Sequence, residues 1–297
     1  MNIDMRKLII TLAVLASALF AATAEEKTKT YDFGDIQSLS IGYNYQVHVT
    51  EGNSDEVKVV YDSQFEGHMD INYSKDTHKL NISMKDNLPK KLRLGNMPRI
   101  KIYLEMNDIA RLDISGAASV DFEGEYKSNE LDINLSGASK INHLNIKGKS
   151  LNLDCSGASK SVISGNFSEE VEIELSGASR LDYTGDSQDF NAEINGASKL
   201  TFSGDCKEAE IRCSGASSAK MEGSADNGEY ECSGASRIEA KEFVTKNLHT
   251  VLSGASNAEV HATANLTYSV SRSCRITYYG DAVLKNLSPD QNVVRGN

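Results

Sequence analysis

Apolar and polar residues alternate along most of this chain. Segments such as Leu131–Leu135 (LDINL) and Val171–Leu175 (VEIEL) place an apolar side chain at every second position. Successive side chains of a β-strand point to opposite faces, whereas an amphipathic helix needs apolar residues three or four positions apart. The pattern therefore predicts an all-β protein whose strands each bury one face.

A Ser-Gly-Ala-Ser motif recurs between these segments, and self-similarity at a fixed period indicates a solenoid. The motif glycines follow one another at intervals of 19 to 21 residues, at Gly116, Gly137, Gly157, Gly177, Gly196, Gly215, Gly234 and Gly254, and a ninth, degenerate copy spans Ser271–Cys274. We predict a parallel β-helix with coils of about 20 residues, stacked at the ~4.8 Å spacing of neighbouring strands. The main alternative, a leucine-rich horseshoe, needs a helical return in each repeat, and the sequence has no helical pattern.

The alternation keeps its phase through each motif, as in Leu175, Gly177, Ser179 and Leu181. If this set faces inward, glycine and a small residue lie on the inside of a bend, where the wall leaves no space for a large side chain. Glycine also tolerates the positive φ of a sharp bend. The eight motif glycines are therefore predicted to form a structural corner. The inward serines are expected to pass hydroxyl hydrogen bonds from coil to coil.

The chain divides into four segments. Residues 1–24 carry a basic start, an apolar run and an Ala-x-Ala site, which is typical of a secretory signal peptide. Residues 25–110 contain alternating strands without the motif and are expected to form N-terminal capping coils, because solenoid ends need caps. Residues 111–287 form the parallel β-helix with its repeats, and residues 288–297 form a polar C-terminal tail.

Charge and hydropathy narrow the range of partners. The 297 residues carry a formal net charge of -11, and removal of the predicted signal peptide makes the charge one unit more negative. This negative charge argues against nucleic acid as a partner, because the phosphate backbone is also negatively charged. No later segment is apolar enough to cross a membrane. We therefore expect an exported protein, periplasmic or at the cell surface, without a membrane span after signal removal.

Charged residues flank each motif at outward positions. Mostly acidic residues precede the glycine by three positions, at Asp113, Asn134, Asp154, Glu174, Glu193, Arg212 and Glu231. Mostly basic residues follow it by three positions, at Lys140, Lys160, Arg180, Lys199, Arg237 and Arg275. Outward charge keeps a β-surface from pairing with other chains, and this role is sufficient to explain both sets. The sharper hypothesis is that the basic set binds acidic polysaccharide or a cell-surface protein.

The cysteines and histidines give no sign of a metal site. Cys155, Cys213 and Cys232 occupy inward slots that leucine or isoleucine fills in other coils. Cys213 and Cys232 lie in successive coils and could approach disulfide distance, which the sequence leaves open. No Cys-x-x-Cys or His-Glu-x-x-His spacing occurs, so we expect neither a metal nor a cofactor.

Catalysis on such a scaffold, as in polysaccharide lyases and hydrolases, needs carboxylates or an arginine or lysine base gathered in a cleft. Here the acidic residues are spread over many coils, and no long loop interrupts the repeat region. We therefore assign no catalytic residues and expect a protein that is not an enzyme. A polysaccharide-active lyase or hydrolase is the alternative.

The repeated pattern Leu-x-Ile-x-Leu-Ser-Gly-Ala-Ser-Lys/Arg-Ile/Leu follows a secretory signal and an N-terminal part rich in Val-x-Val strands. This combination resembles the bacterial auto-transporter adhesin family with a head GIN domain, and the likeness covers most of the chain after residue 24. The resemblance implies a right-handed parallel β-helix exported to the periplasm or the cell surface. We interpret the chain as a binding module of the bacterial envelope that meets a glycan or a protein along a side face.

Overall fold

The computed structural model describes residues 25–89, 100–288 and 292–296, so the predicted signal peptide lies outside the described residues. Its strands are β1 (Glu26–Asp32), β2 (Ser38–Ile41), β3 (Gln46–Glu51), β4 (Glu56–Asp62), β5 (Met69–Ser74), β6 (Lys79–Met84), β7 (Lys101–Met106), β8 (Arg111–Ile114), β9 (Ser119–Glu123), β10 (Tyr126–Lys127), β11 (Glu130–Leu135) and β12 (Lys140–Lys147). They continue with β13 (Ser150–Cys155), β14 (Lys160–Ser164), β15 (Glu170–Leu175), β16 (Arg180–Thr184), β17 (Asp189–Ile194), β18 (Lys199–Cys213), β19 (Ser218–Cys232), β20 (Arg237–Leu252), β21 (Asn257–Val270), β22 (Arg275–Tyr279), β23 (Val283–Asn286) and β24 (Val293–Arg295). A single turn of 3₁₀ helix spans Ser63–Phe65.

Equivalent strands of successive coils pair in parallel and in register. Ile133 lies opposite Leu153, Leu153 opposite Ile173, and Ile173 opposite Ala192. The strands after the motif behave in the same way, with β14, β16 and β18 stacked in order. The predicted parallel β-solenoid is therefore confirmed.

The core is a column of side chains that runs through the middle of the solenoid. In β15 alternate residues are buried. The exposed fraction is at most 1% for Val171, Ile173 and Leu175. Farther along, the rings of Phe190 and Phe202 stack with centroids 3.9 Å apart. Each fully buried aliphatic side chain contributes roughly 1.5–3 kcal/mol, so the alternation read from the sequence is also the main source of stability.

The motif makes a corner, but its glycines do not point inward as predicted. All eight are exposed, with φ between +70° and +75°. A Cβ added to Gly177 would lie 2.5 Å from the carbonyl oxygen of Gly157 in the preceding coil. The N–H of Ala178 donates to that same carbonyl at 2.7 Å. Glycine is therefore required for its left-handed φ and for the close approach of stacked backbones, not for lack of interior space.

The second serine of the motif does face the core, yet the expected hydroxyl ladder is only partly formed. Ser179 donates to Ser198 at 3.2 Å, which is a bond from one coil to the next. Ser236 instead donates to the carbonyl of Ser233 at 2.8 Å, within its own turn. Other hydroxyls of this column have no hydrogen-bond partner among the described residues, namely those of Ser139, Ser159 and Ser217.

The N-terminal coils do not stack in chain order. β2 lies between β6 and β8, and β3 lies between β7 and β9, all in parallel. β4 runs antiparallel to β7, β5 forms an antiparallel hairpin with β6, and β1 runs antiparallel to β4. The chain therefore begins with β1 at the outer edge and enters the stack with β2 and β3. It then builds the end of the solenoid with β4 to β7 and returns to continue the repeats.

The coil made by β2 and β3 has a corner that the sequence analysis missed. Ile41 lies opposite Ile114, and Gln46 lies opposite Ser119, so Gly42–Tyr45 (GYNY) stacks on the first Ser-Gly-Ala-Ala turn. Tyr43 occupies the glycine slot and adopts φ +72°. The signal in the sequence was the strand alternation on both sides of Gly42–Tyr45, since the motif itself has diverged.

An incomplete coil closes the C-terminal end. β23 pairs in parallel with β21, and β24 pairs in parallel with β22. The predicted polar tail from Ser288 thus contains a strand of the solenoid. Arg272, in the glycine slot of the degenerate copy, is exposed, as the eight motif glycines are.

Candidate functional site

The predicted basic residues form one straight row on the solenoid surface, here called the basic row. Lys140, Lys160, Arg180 and Lys199 stand opposite one another on consecutive coils. The row then continues through Ser218 to Arg237 and through Asn257 to Arg275. All six basic side chains are exposed. With ~4.8 Å between rungs, four cations are concentrated along a line of about 14 Å.

Few carboxylates neutralise the first part of the basic row. Arg180 pairs with Asp182 at 3.2 Å, but within the described ranges Lys140, Lys160 and Lys199 make no ion pair. Like charges at this spacing repel by somewhat under 1 kcal/mol per pair in water. This repulsion makes the section Lys140–Lys199 a surface on which an anion would be stabilised.

The second part of the basic row differs in both shape and charge. Arg237 and Arg275 flank the shorter Asn257 and border a shallow cavity of about 260 Å³. Arg237 is 3.5 Å from Glu239, and Glu259 also lines this cavity. The positive charge is therefore partly offset here, and the unpaired lysines of the first part remain the stronger candidate.

The predicted acidic residues also align, on the strands that precede the corner. Asp154, Glu174 and Glu193 lie opposite one another, and Arg212 follows next in the same row. Arg212 lies 3.4 Å from Glu231 and interrupts the acidic character. In the part of the chain that the structure describes, no group of three or more histidine, cysteine, aspartate or glutamate side chains could hold a metal ion.

Asp113 begins the acidic row and is neutralised by two cations. Its carboxylate is 2.8 Å from Lys79 and 3.0 Å from Arg111. Burial alone would raise the pKa of Asp113, but hydrogen bonds from Arg111 and Lys79 outweigh it and hold that pKa below its ordinary value. This end of the row is structural, because its charge is already paired.

The cysteines lie where the sequence analysis placed them, on the inner face. Cys213 and Cys232 stand directly opposite one another on adjacent rungs, and both are buried as free thiols. The hydrogen bond between the two thiols, together with burial, raises the pKa of Cys213. Burial raises the pKa of Cys155 to about 11. Cys155 and Cys213 are therefore packing groups rather than nucleophiles, because reactivity requires the thiolate.

An outward aromatic pair near the N-terminal end was not singled out from the sequence. Tyr103 on β7 lies opposite His48 on β3, and the two rings stack with centroids 5.0 Å apart at 13°. Both belong to the strand face that carries the basic row, two positions along from Lys101 and Gln46. Only the stacking of β3 on β7 brings the rings together, so no local pattern could have revealed the pair.

Comparisons with known proteins agree with this architecture. The profile of the family described as "Putative auto-transporter adhesin, head GIN domain" matches residues 35–185 and 169–282. A solved structure described as a putative adhesin from Parabacteroides distasonis is similar with a TM-score of 0.52 at 17% identity, covering 92% of this chain and 97% of that chain. A second, from Parabacteroides merdae, has a TM-score of 0.52 at 15% identity, covering 93% and 98%. At these identities the two structures show a shared fold. No curated protein matches the chain.

No helix in the described ranges is long and apolar enough to cross a membrane.

Proposed function

Because the chain belongs to the family described as "Putative auto-transporter adhesin, head GIN domain", we propose that it is an exported, non-enzymatic binding module of the bacterial envelope. Its ligand is an acidic polysaccharide of the cell surface, which lies along the basic row. A cell-surface protein with an acidic face is the other ligand that this row would accept.

The observation that carries this proposal is the alignment of Lys140, Lys160, Arg180 and Lys199 on consecutive coils. A regular row of cations suits a polymer with a regular repeat of carboxylates, because several weak contacts form together. Each exposed pair contributes little alone, about 0–1 kcal/mol. Several contacts on one chain raise the overall affinity through effective concentration.

The site is compatible with binding rather than catalysis. The basic row lies on an open strand surface, whereas a glycan-cleaving site needs an acid and a base or nucleophile facing each other across the scissile bond. Of the three unpaired lysines, none has a neighbouring carboxylate within ion-pair distance among the described residues.

The test is a triple charge reversal, Lys160→Glu, Arg180→Glu and Lys199→Glu, assayed on an array of acidic and neutral polysaccharides. We expect binding of the acidic polysaccharides to fall by tenfold or more. Each factor of ten corresponds to a loss of about 1.4 kcal/mol of binding free energy. Binding by the unmodified protein should also weaken as NaCl rises from about 0.05 to about 0.5 M, because salt screens exposed charges.

The matched control reverses three exposed lysines on another side of the solenoid, Lys149→Glu, Lys207→Glu and Lys246→Glu, with the same change in net charge. It should retain binding. Equal binding by the basic-row variant and the unmodified protein would refute the proposal. Release of shorter products from any polysaccharide on the array would favour the lyase or hydrolase alternative.

A further inference from the structure

Tyr103 is an unusual side chain for this surface. Six large apolar side chains of the described residues are exposed, and four of them belong to the C-terminal coil. Tyr103, at 38% exposure, is the only aromatic one among the six. Its neighbours Ile102 and Leu104 are buried, so the strand fixes the tyrosine ring on the outside.

A cleft of about 320 Å³ lies beside this ring. The Tyr103 and His48 rings and Lys58, which stands opposite Tyr103 on β4, line one side. Polar side chains of the adjacent outward row, Glu56, Glu105 and Thr50, also line the cleft, together with Ser54 and Leu104. The cleft thus combines an apolar aromatic surface with groups that donate and groups that accept hydrogen bonds.

Several of these polar groups have capacity left for a ligand. The Glu105 carboxylate accepts the N–H of Ser54 at 2.9 Å, which fixes its position and leaves its other oxygen available. Within residues 25–89, 100–288 and 292–296, neither Glu56 nor Lys58 makes an ion pair. The ring of His48 is held by Tyr103 on one side and by Asp121, 4.0 Å away, on the other.

We propose that this cleft is a binding site for an uncharged pyranose sugar of a polysaccharide. A pyranose has one face of C–H groups, which packs against an aromatic ring, and a rim of hydroxyls that both donate and accept. Lys58 supplies donors, Glu56 and Glu105 supply acceptors, and Thr50 supplies either. A small number of such groups around an apolar surface is the usual composition of a small-molecule site.

The cleft lies on the same strand face as the basic row, and this inference rests on the proposed function. The ligand of both sites is a polysaccharide, and the cleft would bind one of its uncharged sugars. It differs from the basic row in being insensitive to salt, because no formal charge on the ligand is needed. The proposal for the cleft and the proposal for the basic row can therefore be refuted independently.

The experiment measures binding of neutral oligosaccharides, cellohexaose, laminarihexaose and xylohexaose, by saturation-transfer NMR and calorimetry in about 0.5 M NaCl, where the basic row is screened. We expect at least one of the three to bind. Tyr103→Ala should weaken that binding about fivefold or more, whereas Tyr103→Phe, which keeps the ring, should retain most of it.

Two controls separate the site from general effects. Val244→Ala removes an exposed apolar side chain elsewhere and should leave binding unchanged. The Lys160→Glu, Arg180→Glu and Lys199→Glu protein should bind the neutral sugar like the unmodified protein, whatever its affinity for acidic polysaccharide. Thermal unfolding checks that Tyr103→Ala is folded.

Three outcomes overturn the proposal. The first is that none of the three oligosaccharides binds. The second is that binding is equal in Tyr103→Ala and the unmodified protein. The third is that tetramethylammonium binds in a Tyr103-dependent manner while the sugars do not, which would make the cleft a cation site formed by the ring and the two glutamates.

Discussion

At the residue scale, the repeated glycine is explained by backbone geometry. Each motif glycine has a left-handed φ, which costs roughly 1–2 kcal/mol for other residues. Each also lies against the preceding coil, so that a Cβ would meet a backbone carbonyl oxygen there. Tyr43 adopts the same left-handed φ in the glycine slot of one coil, which shows that φ alone does not exclude a side chain. The close approach along the stack is therefore the stricter requirement.

This explanation predicts that Gly177→Ala destabilises the protein by more than the φ cost alone, about 2 kcal/mol or more. The matched control is Gly67→Ala, because Gly67 has nearly the same φ, +77°, with no atom within 4 Å of its added Cβ. Denaturant unfolding of both variants gives the two free energies. Equal losses at the two positions would mean that the stacked carbonyl contributes nothing.

At the scale of the element, the strands at the N-terminal end protect the sheet edge. β1 pairs with β4 over seven residues, from Glu26 opposite Asp62 to Asp32 opposite Glu56. Its sequence, EKTKTYD, is charged, whereas β4, EVKVVYD, is richer in apolar residues. Exposed edge strands invite pairing with another chain, and charge on the edge opposes it. β1 thus acts as a polar cover for the end of the solenoid.

Deleting residues 25–32 should expose the edge of β4 and cause self-association. Size-exclusion chromatography with light scattering at increasing protein concentration would detect the larger species. A second variant, Lys27→Val with Lys29→Val, keeps β1 and removes two of its charges, and it should also associate. If both variants elute at the same mass as the unmodified protein, β1 has no such protective role.

At the scale of the whole molecule, the solenoid separates its interior from its surface in a regular way. The interior is a continuous column of apolar residues, and each outward position repeats from coil to coil as a row. Rows let a polymer contact several coils at once. The proposed basic row and the sugar cleft both use this property, and both need an exported protein.

Export predicts that the protein recovered from the envelope begins at Glu25, with the mass of residues 25–297. Mass spectrometry of fractionated cells measures this directly. Protease treatment of intact cells should then digest the protein if it is exposed at the surface, while a cytoplasmic marker stays intact. An unprocessed chain confined to the cytoplasm would rule out a role in adhesion.

The sequence alone determined the strands, their facing, the coil length and the alignment of the basic row. These are local properties, because alternation fixes which side chains point inward and a constant repeat brings equivalent residues into register. Only the tertiary structure decided that the glycines face outward, that β2 lies between β6 and β8, and that His48 meets Tyr103. The physical reason is that these features depend on which distant strands pair and how closely their backbones approach, and a one-dimensional pattern does not encode such contacts.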